Sequence, residues 1–237
     1  MIQLKCRSEA KECLDDFLVD QNVLRATFQQ LKKINEFTLG YWPTMSTIRY
    51  FLERYGRNRV INILDIGCGD GETLRRIDDY GRTRKFSLRL KGIDLNKQVI
   101  ALANEENFSK DINFIHGDAL ANDSTQVYDL IISSLTMHHL KDEDIIKLMH
   151  WMSLNARIGW FISDLHRHPM AYYFIKYFVR LGKFNRYIRH DAPLSVARGF
   201  RRQDWNKILS NAQFNHNDVR ISWYPNFRYG IRYEKFL

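Results

Sequence analysis

The stretch VINILDIGCGDG, residues 60–71, decides how this chain reads. Its first half is a short, nearly continuous apolar run rich in β-branched residues, the pattern of a strand buried on both faces. Its second half is a glycine loop, and Glu72 to Tyr80 beyond it reads as a helix. Gly67 and Gly69 let the backbone turn sharply and approach a ligand with no Cβ in the way. The N–H groups of the following helix N-terminus then face that ligand. A dinucleotide loop reads G-x-G-x-x-G; this one reads G-x-G-x-G, with Asp65 two positions before its first glycine. A carboxylate there repels a pyrophosphate and suits a cationic ligand, such as an ammonium beside a sulfonium.

Outward from the loop the rhythm repeats. SLRLKGIDL (87–95), INFIHGD (112–118), VYDLIISS (127–134) and RIGWFISDL (157–165) read as strands, with helices over Gln98 to Phe108 and 142–154. Short apolar strands alternating with helices predict crossover units and a parallel sheet covered on both faces. Upstream, residues 9–55 carry helical spacing: Leu14, Phe17, Leu18, then Val23, Leu24, Phe28, Leu31 and Ile34. Gly40 and Pro43 interrupt it, and a further helix runs through Ile48, Phe51 and Leu52 to Gly56. Downstream, residues 169–181 form an apolar, aromatic helix opened by Pro169, and 201–211 form another. The runs 218–225 and 227–236 are strands joined so tightly that they must form a hairpin, so the sheet ends antiparallel.

Two acidic strand ends sharpen the glycine loop. Asp94 closes the second strand, where a carboxylate accepts two hydrogen bonds from a ribose diol. Gly117-Asp118-Ala119 closes the third, where Asp118 can accept from an exocyclic adenine amine. Ligands of open α/β sheets bind at the carboxyl ends of the strands, and all three features lie there. Together with Asp65 they favour S-adenosylmethionine over a nicotinamide dinucleotide.

With these residues the sequence resembles the class I S-adenosylmethionine-dependent methyltransferases. ILDIGCGDG is similar to their first motif, GIDLN to the ribose-binding strand end, HGDAL to the adenine-contacting segment, and YDLIISSLTMHHL to their fourth motif. The resemblance covers roughly residues 35–165. It implies a Rossmann-like, doubly wound sheet of seven strands, the last antiparallel. It also implies cofactor contacts at Gly67, Cys68, Gly69, Asp94, Leu95, Asp118, Ala119 and Ser133 or Ser134. INEFTLG (34–40) is similar to the segment preceding the first motif in ubiquinone and menaquinone methyltransferases. DLHRHPMAYYFIKYF and RHDAPLSVARGFR resemble bacterial small-molecule methyltransferases of polyketide and quinone pathways. The chain departs from the quinone enzymes at MHHL. The expected organisation is one domain: an N-terminal helical cap (1–58), a cofactor core (59–165), a helical cap insertion (166–212) and a terminal hairpin (213–237).

Methyl transfer to a phenol of pKa near 10 costs about 4 kcal/mol in deprotonation near neutral pH, which a histidine base can offset. His138 and His139 follow the fourth strand directly, and His166 follows the fifth. His138 is read as base or substrate contact and His166 as a substrate contact. For His139, cofactor contact or loop packing competes with a base role and is preferred. His190-Asp191 reads as a structural pair or polar lid element. Asp142, Glu143 and Asp144 sit where a helix start explains them, so no metal-ligand cluster is expected.

Composition sets the remaining bounds. The chain has 237 residues, 45% hydrophobic and 27% charged, with three scattered cysteines. That excludes a disordered chain, a disulfide framework and a zinc-cysteine site. Without an apolar leader or a long apolar run, the sequence is read as cytoplasmic. The net charge of +9 lies wholly in the last third, where residues 166–237 hold 14 basic and 4 acidic side chains. This asymmetry points to an anionic carrier or membrane surface as partner, or to a solvated basic face. The expected activity is O-methylation of a small hydrophobic aromatic acceptor, a phenol, polyketide or quinol. RNA methylation is the rival; nucleic acid is disfavoured because no RNA-binding module is visible and the fourth motif lacks an Asn/Asp-Pro-Pro-aromatic string. A cofactor-binding accessory subunit without chemistry is the third reading.

Overall fold

The computed structural model describes residues 4–15, 19–121, 127–215 and 218–235. Seven strands form one sheet: β1 (Val60–Ile66), β2 (Ser87–Asp94), β3 (Ile112–His116), β4 (Tyr128–Ser134), β5 (Ala156–Leu165), β6 (Val219–Tyr224) and β7 (Arg228–Glu234). Their order is β3-β2-β1-β4-β5-β7-β6. The first five pair in parallel, and β7 runs antiparallel to both β5 and β6. This is the expected doubly wound α/β architecture with a reversed last strand. The strand order changes direction at β1/β4, which opens a crevice beyond the carboxyl ends of these strands.

Successive side chains of β1 serve opposite cores, as the pleat requires. Ile61 and Ile63 pack with Ile48, Phe51 and Leu52 of α2 (Trp42–Tyr55), with Leu74 and Ile77 of α3 (Glu72–Arg84), and with Ile100 of α4 (Lys97–Glu105). Leu64 and Ile66 face the other layer. There Ile145, Met149 and Met152 of α5 (Asp142–Asn155) meet Trp205 and Ile208 of α8 (Arg202–Asn211). Burial on both faces explains why these strands read as apolar runs.

A third cluster roofs the strand ends. Ile34 of α1 (Gln21–Phe37) packs with Tyr172, Ile175 and Val179 of α6 (Pro169–Leu181) and with Ile188 and Val196 of α7 (Arg186–Arg198). α7 is not among the helices expected from the sequence; Pro193 lies inside it, where a proline removes a backbone donor. The helical spacing expected from residue 9 onward forms no α-helix among the described residues before α1; Phe17 and Leu18 lie outside them. Only a single 3-10 turn, Cys13–Asp15, forms there. Tertiary partners take its backbone donors instead: the N–H groups of Cys13 and Leu14 donate to the Asp191 carboxylate at 2.8 and 3.0 Å. α1 starts only at Gln21, capped by Asp20, whose side chain accepts from the N–H groups of Asn22 and Val23. Among the described residues no helix is long and apolar enough to cross a membrane.

Candidate active site

A single cavity of about 950 Å³ occupies the crevice, floored by the strand ends and roofed by α1, α6 and α7. On the floor, Gly67, Gly69 and Gly71 all adopt positive φ (70°, 56° and 84°), a conformation that favours glycine. A Cβ on Gly67 would lie 2.4 Å from the Thr136 side chain, so the loop also needs glycine for close approach. The loop is tied to its neighbour strand: the Gly67 N–H donates to the Ile93 carbonyl at 2.8 Å and the Gly69 N–H to Asp94 Oδ2 at 3.0 Å. Asp94 Oδ1 accepts from the Asn96 N–H at 2.9 Å. Burial pushes the Asp94 carboxyl above its ordinary value.

Asp65 is 1% exposed, lines the cavity, and its Oδ1 has no hydrogen-bond partner. Burial, reinforced by Asp94, pushes its carboxyl well up. A buried carboxylate left open on a cavity wall is a receptor for a cationic group. Cys68, Leu95, Asp118, Ala119 and Ser134 also line this floor. Ser133 does not: it is fully buried and its hydroxyl donates to the Ile66 carbonyl at 2.8 Å, stitching β4 to β1. The alternation of the strand sends Ser134 to the cavity and Ser133 away from it.

Beyond β4 the chain turns through Leu135, which holds a left-handed φ of 59°, and a 3-10 turn then carries His138 and His139 to the cavity wall. His138 is 4% exposed; its Nδ1 lies 2.8 Å from Asp164 Oδ1, and its backbone N–H donates to Asp164 Oδ2 at 3.1 Å. Burial acts to raise the Asp164 carboxyl, but His138 and the backbone donors overcome it and hold the group below its ordinary value. An ionised carboxylate only accepts, so Nδ1 of His138 carries hydrogen and Nε2 points onward. Nε2 sits 3.7 Å from Glu12 Oε1. His139 repeats the arrangement, with Nδ1 2.7 Å from Asp15 Oδ1 and Nε2 4.0 Å from Glu12 Oε2.

Glu12 was invisible to sequence reasoning. It lies in a short N-terminal segment, and its carboxylate accepts from the Ser195 hydroxyl at 2.8 Å across a separation of 183 residues. Burial raises its carboxyl to about 7, opposed mainly by His139. The expectation that no donor cluster exists is therefore corrected: Glu12, His138 and His139 bring their ligand atoms within 4.8 Å of one another. One other expectation also shifts. His166 is absent from the cavity wall and packs instead with His168, Phe227 and Tyr229, accepting at Nδ1 from the Trp223 indole at 3.2 Å. Burial lowers it to about 4. His190 contacts Asp191 at 2.7 Å, and Asp191 pins the N-terminal segment, a structural role.

Residues 63–155 match the family described as Methyltransferase domain. A ubiquinone biosynthesis O-methyltransferase of Nitrosospira multiformis is 26% identical over 62% of this chain and 56% of its own length. A malonyl-[acyl-carrier protein] O-methyltransferase of Bacillus anthracis is 29% identical over 44% of this chain and 38% of its own length. The chain thus spans about half or less of these curated relatives. Among solved structures, the plantazolicin methyltransferase BpumL in complex with S-adenosylhomocysteine (SAH) shares the fold at a TM-score of 0.65, with 16% identity over 91% of this chain and 95% of that one. Magnesium protoporphyrin IX methyltransferase from Synechocystis, also with SAH, aligns at a TM-score of 0.54, with 15% identity over 93% of this chain and 90% of that one.

Proposed function

We propose that the chain is a class I S-adenosylmethionine-dependent methyltransferase acting on small molecules, and that it O-methylates a hydrophobic aromatic acceptor with His138 as proton acceptor. The observation that carries this reading is the single cavity joining the glycine floor to the Glu12–His138–Asp164 array. In it α1 with α6 and α7 of the 166–212 insertion form the roof over the acceptor, while α8 packs against α5 in the core.

The floor fits the cofactor. Asp65, with its open buried oxygen, would take the ammonium group. Asp94 keeps a second lone pair on each oxygen for a ribose diol, and Asp118 with Ala119 would border the adenine. Gly67, Cys68, Gly69, Leu95 and Ser134 complete the contact set. The cofactor, when bound, supplies a methyl group already activated by the sulfonium charge.

The protein's own part is positioning and proton transfer. Nε2 of His138 takes the acceptor proton while Asp164 stabilises the imidazolium and fixes its tautomer. Glu12, poised near neutrality, shares that charge from the other side. His139, held by Asp15, is a wall and second proton site rather than the base. The wall beyond is apolar: Phe28, Leu31, Phe174 and Ile175 face the same cavity, which supports a hydrophobic acceptor. The array is read as a proton relay, with Nε2 of His138 3.7 Å from Glu12 Oε1 and Nδ1 held by Asp164. Dialysis against a chelator should leave transfer unchanged; loss restored by a divalent cation would assign the donor set to a metal.

For a partner, α6 offers Tyr173, Phe174, Tyr177 and Leu181 at 47–83% exposure beside Lys176, Arg180 and Lys183. This supports docking on an anionic surface, a membrane or an acyl carrier, from which a hydrophobic acceptor enters. The deciding assay incubates the protein with methyl-labelled cofactor and hydrophobic phenols, quinols and their O-blocked analogues. Label transfer to the free hydroxyl compounds and not to the blocked ones is expected; label on carbon or nitrogen would overturn O-methylation.

A further inference from the structure

One cation in the cavity has no role in the scheme above. Arg228 opens β7, opposite Leu165 of β5, so it stands at the carboxyl end of the sheet beside the His138–Asp164 pair. It is 5% exposed and lines the cavity. Among the described residues its guanidinium makes one hydrogen bond, from Nη2 to Asn35 Oδ1 at 3.1 Å, and pairs with no carboxylate within salt-bridge distance. Its Nε is buried without a partner, and so is Oδ1 of the neighbouring Asn226. Burial lowers the group to about 10, still charged at neutral pH, with Asp164 acting in the opposite sense.

The contrast with the other buried arginines is direct. Arg167 spends its donors on the carbonyls of Leu4, Lys5 and Gly199 and on Asp204. Arg198 holds the carbonyls of His138 and Ala10 and the Asp15 carboxylate. Both staple the roof to the core. Arg228 staples little and keeps donors unspent. The fold also clears space for it: a Cβ on Gly40 would lie 2.8 Å from Arg228 Nη2 and 2.5 Å from Asn35 Oδ1. A buried guanidinium with free donors on a cavity wall is unfavourable until an anion arrives, and its planar fork matches a carboxylate.

We propose that Arg228, oriented by Asn35, is the anion receptor of the acceptor half of the cavity, and that the acceptor is a hydrophobic molecule bearing a carboxylate. The carboxylate seats on Arg228 while the hydroxyl to be methylated faces His138. This refines the acceptor class of the proposed function and rests on it only for which half of the cavity the acceptor fills.

The test uses 2-naphthoate and its neutral counterpart 2-naphthamide, titrated calorimetrically at millimolar concentration into the full chain saturated with SAH. The naphthoate should bind at least about tenfold more tightly, the worth of a charge-assisted bond. Arg228→Met should abolish the preference while leaving the affinity for SAH unchanged. Equal binding of the two probes by the wild-type protein, binding of neither, or a preference surviving in Arg228→Met overturns the proposal. If Arg228→Met no longer binds SAH, Arg228→Lys replaces it: the charge persists but the fork is lost, so a reduced preference is expected and an unchanged one overturns the claim. Failure of His138 as a base would leave the naphthoate preference intact, so the two readings separate.

Discussion

The floor of the cavity and its roof are built from different kinds of contact. The floor is local: a glycine loop follows β1, Asp94 ends β2, and backbone bonds from Gly67 and Gly69 to the neighbouring strand join them. The roof is assembled at long range. Asp15 meets His139 across 124 residues and Glu12 meets Ser195 across 183. The floor presents an acidic end to a cation, whereas the roof combines an apolar wall with a cluster of histidines and carboxylates. Substitutions in the floor should therefore act on cofactor affinity, and substitutions in the roof on transfer.

The largest effect should come from the roof. His138→Ala is expected to lower transfer by about 10²–10⁴-fold, the usual loss of a general base, with SAH affinity unchanged. A change below about threefold in single-turnover transfer would move the base elsewhere and dissolve the distinction between the halves. In the floor, Asp94→Ala should weaken SAH by about 1.5–3 kcal/mol, through lost charge-assisted bonds. Asp65→Asn should weaken it as well while stabilising the unliganded protein near neutral pH, because it removes a buried, unpartnered carboxylate. A thermal melt without ligand and one with SAH read both effects together.

Glu12 sharpens the comparison through pH. Its carboxyl is raised in the folded state from 4.5 to about 7, so the folded protein holds the proton more tightly than the unfolded chain. The resulting stability is fully present below the ordinary value and is lost as pH rises through about 7. Glu12→Gln should therefore leave stability unchanged near pH 4 and raise it near pH 8 by up to ~3 kcal/mol, while transfer falls. Denaturant titrations at both pH values check this; equal stability changes at the two would show that Glu12 is not held as described.

The floor was legible in the sequence because each of its features is carried by a few adjacent residues. Strand, glycine loop and acidic strand end are all short-range patterns, and the parallel order follows from the alternation of elements. The roof was half legible. MHHL announced the histidines, but nothing in the sequence connects them to Glu12 or Asp15, whose segment reads as a helix and instead takes its partners from α7. His166 misled because adjacency to a strand end says nothing about which wall a side chain joins; here Trp223 and Phe227 claim it. The basic excess of the last third also divides in a way that counting cannot reveal. Arg167, Arg198 and Arg228 are buried, and the exposed remainder gathers partly on α6.

Smaller effects test the outer parts. His166→Ala should change transfer by less than about threefold, since its ring is committed to packing away from the cavity. Anionic vesicles should bind the protein in a salt-sensitive manner through α6, with neutral vesicles binding less. Equal binding to both kinds of vesicle would remove the surface-docking role.

The most direct measurement is a side-by-side calorimetric titration of SAH into the wild-type protein, Asp94→Ala and His138→Ala. The wild type should bind with micromolar affinity, Asp94→Ala should bind about 10- to 100-fold more weakly, and His138→Ala should bind as the wild type does. An Asp94→Ala protein with undiminished affinity, or a His138→Ala protein that loses it, would contradict the division of the cavity into a cofactor floor and a chemical roof.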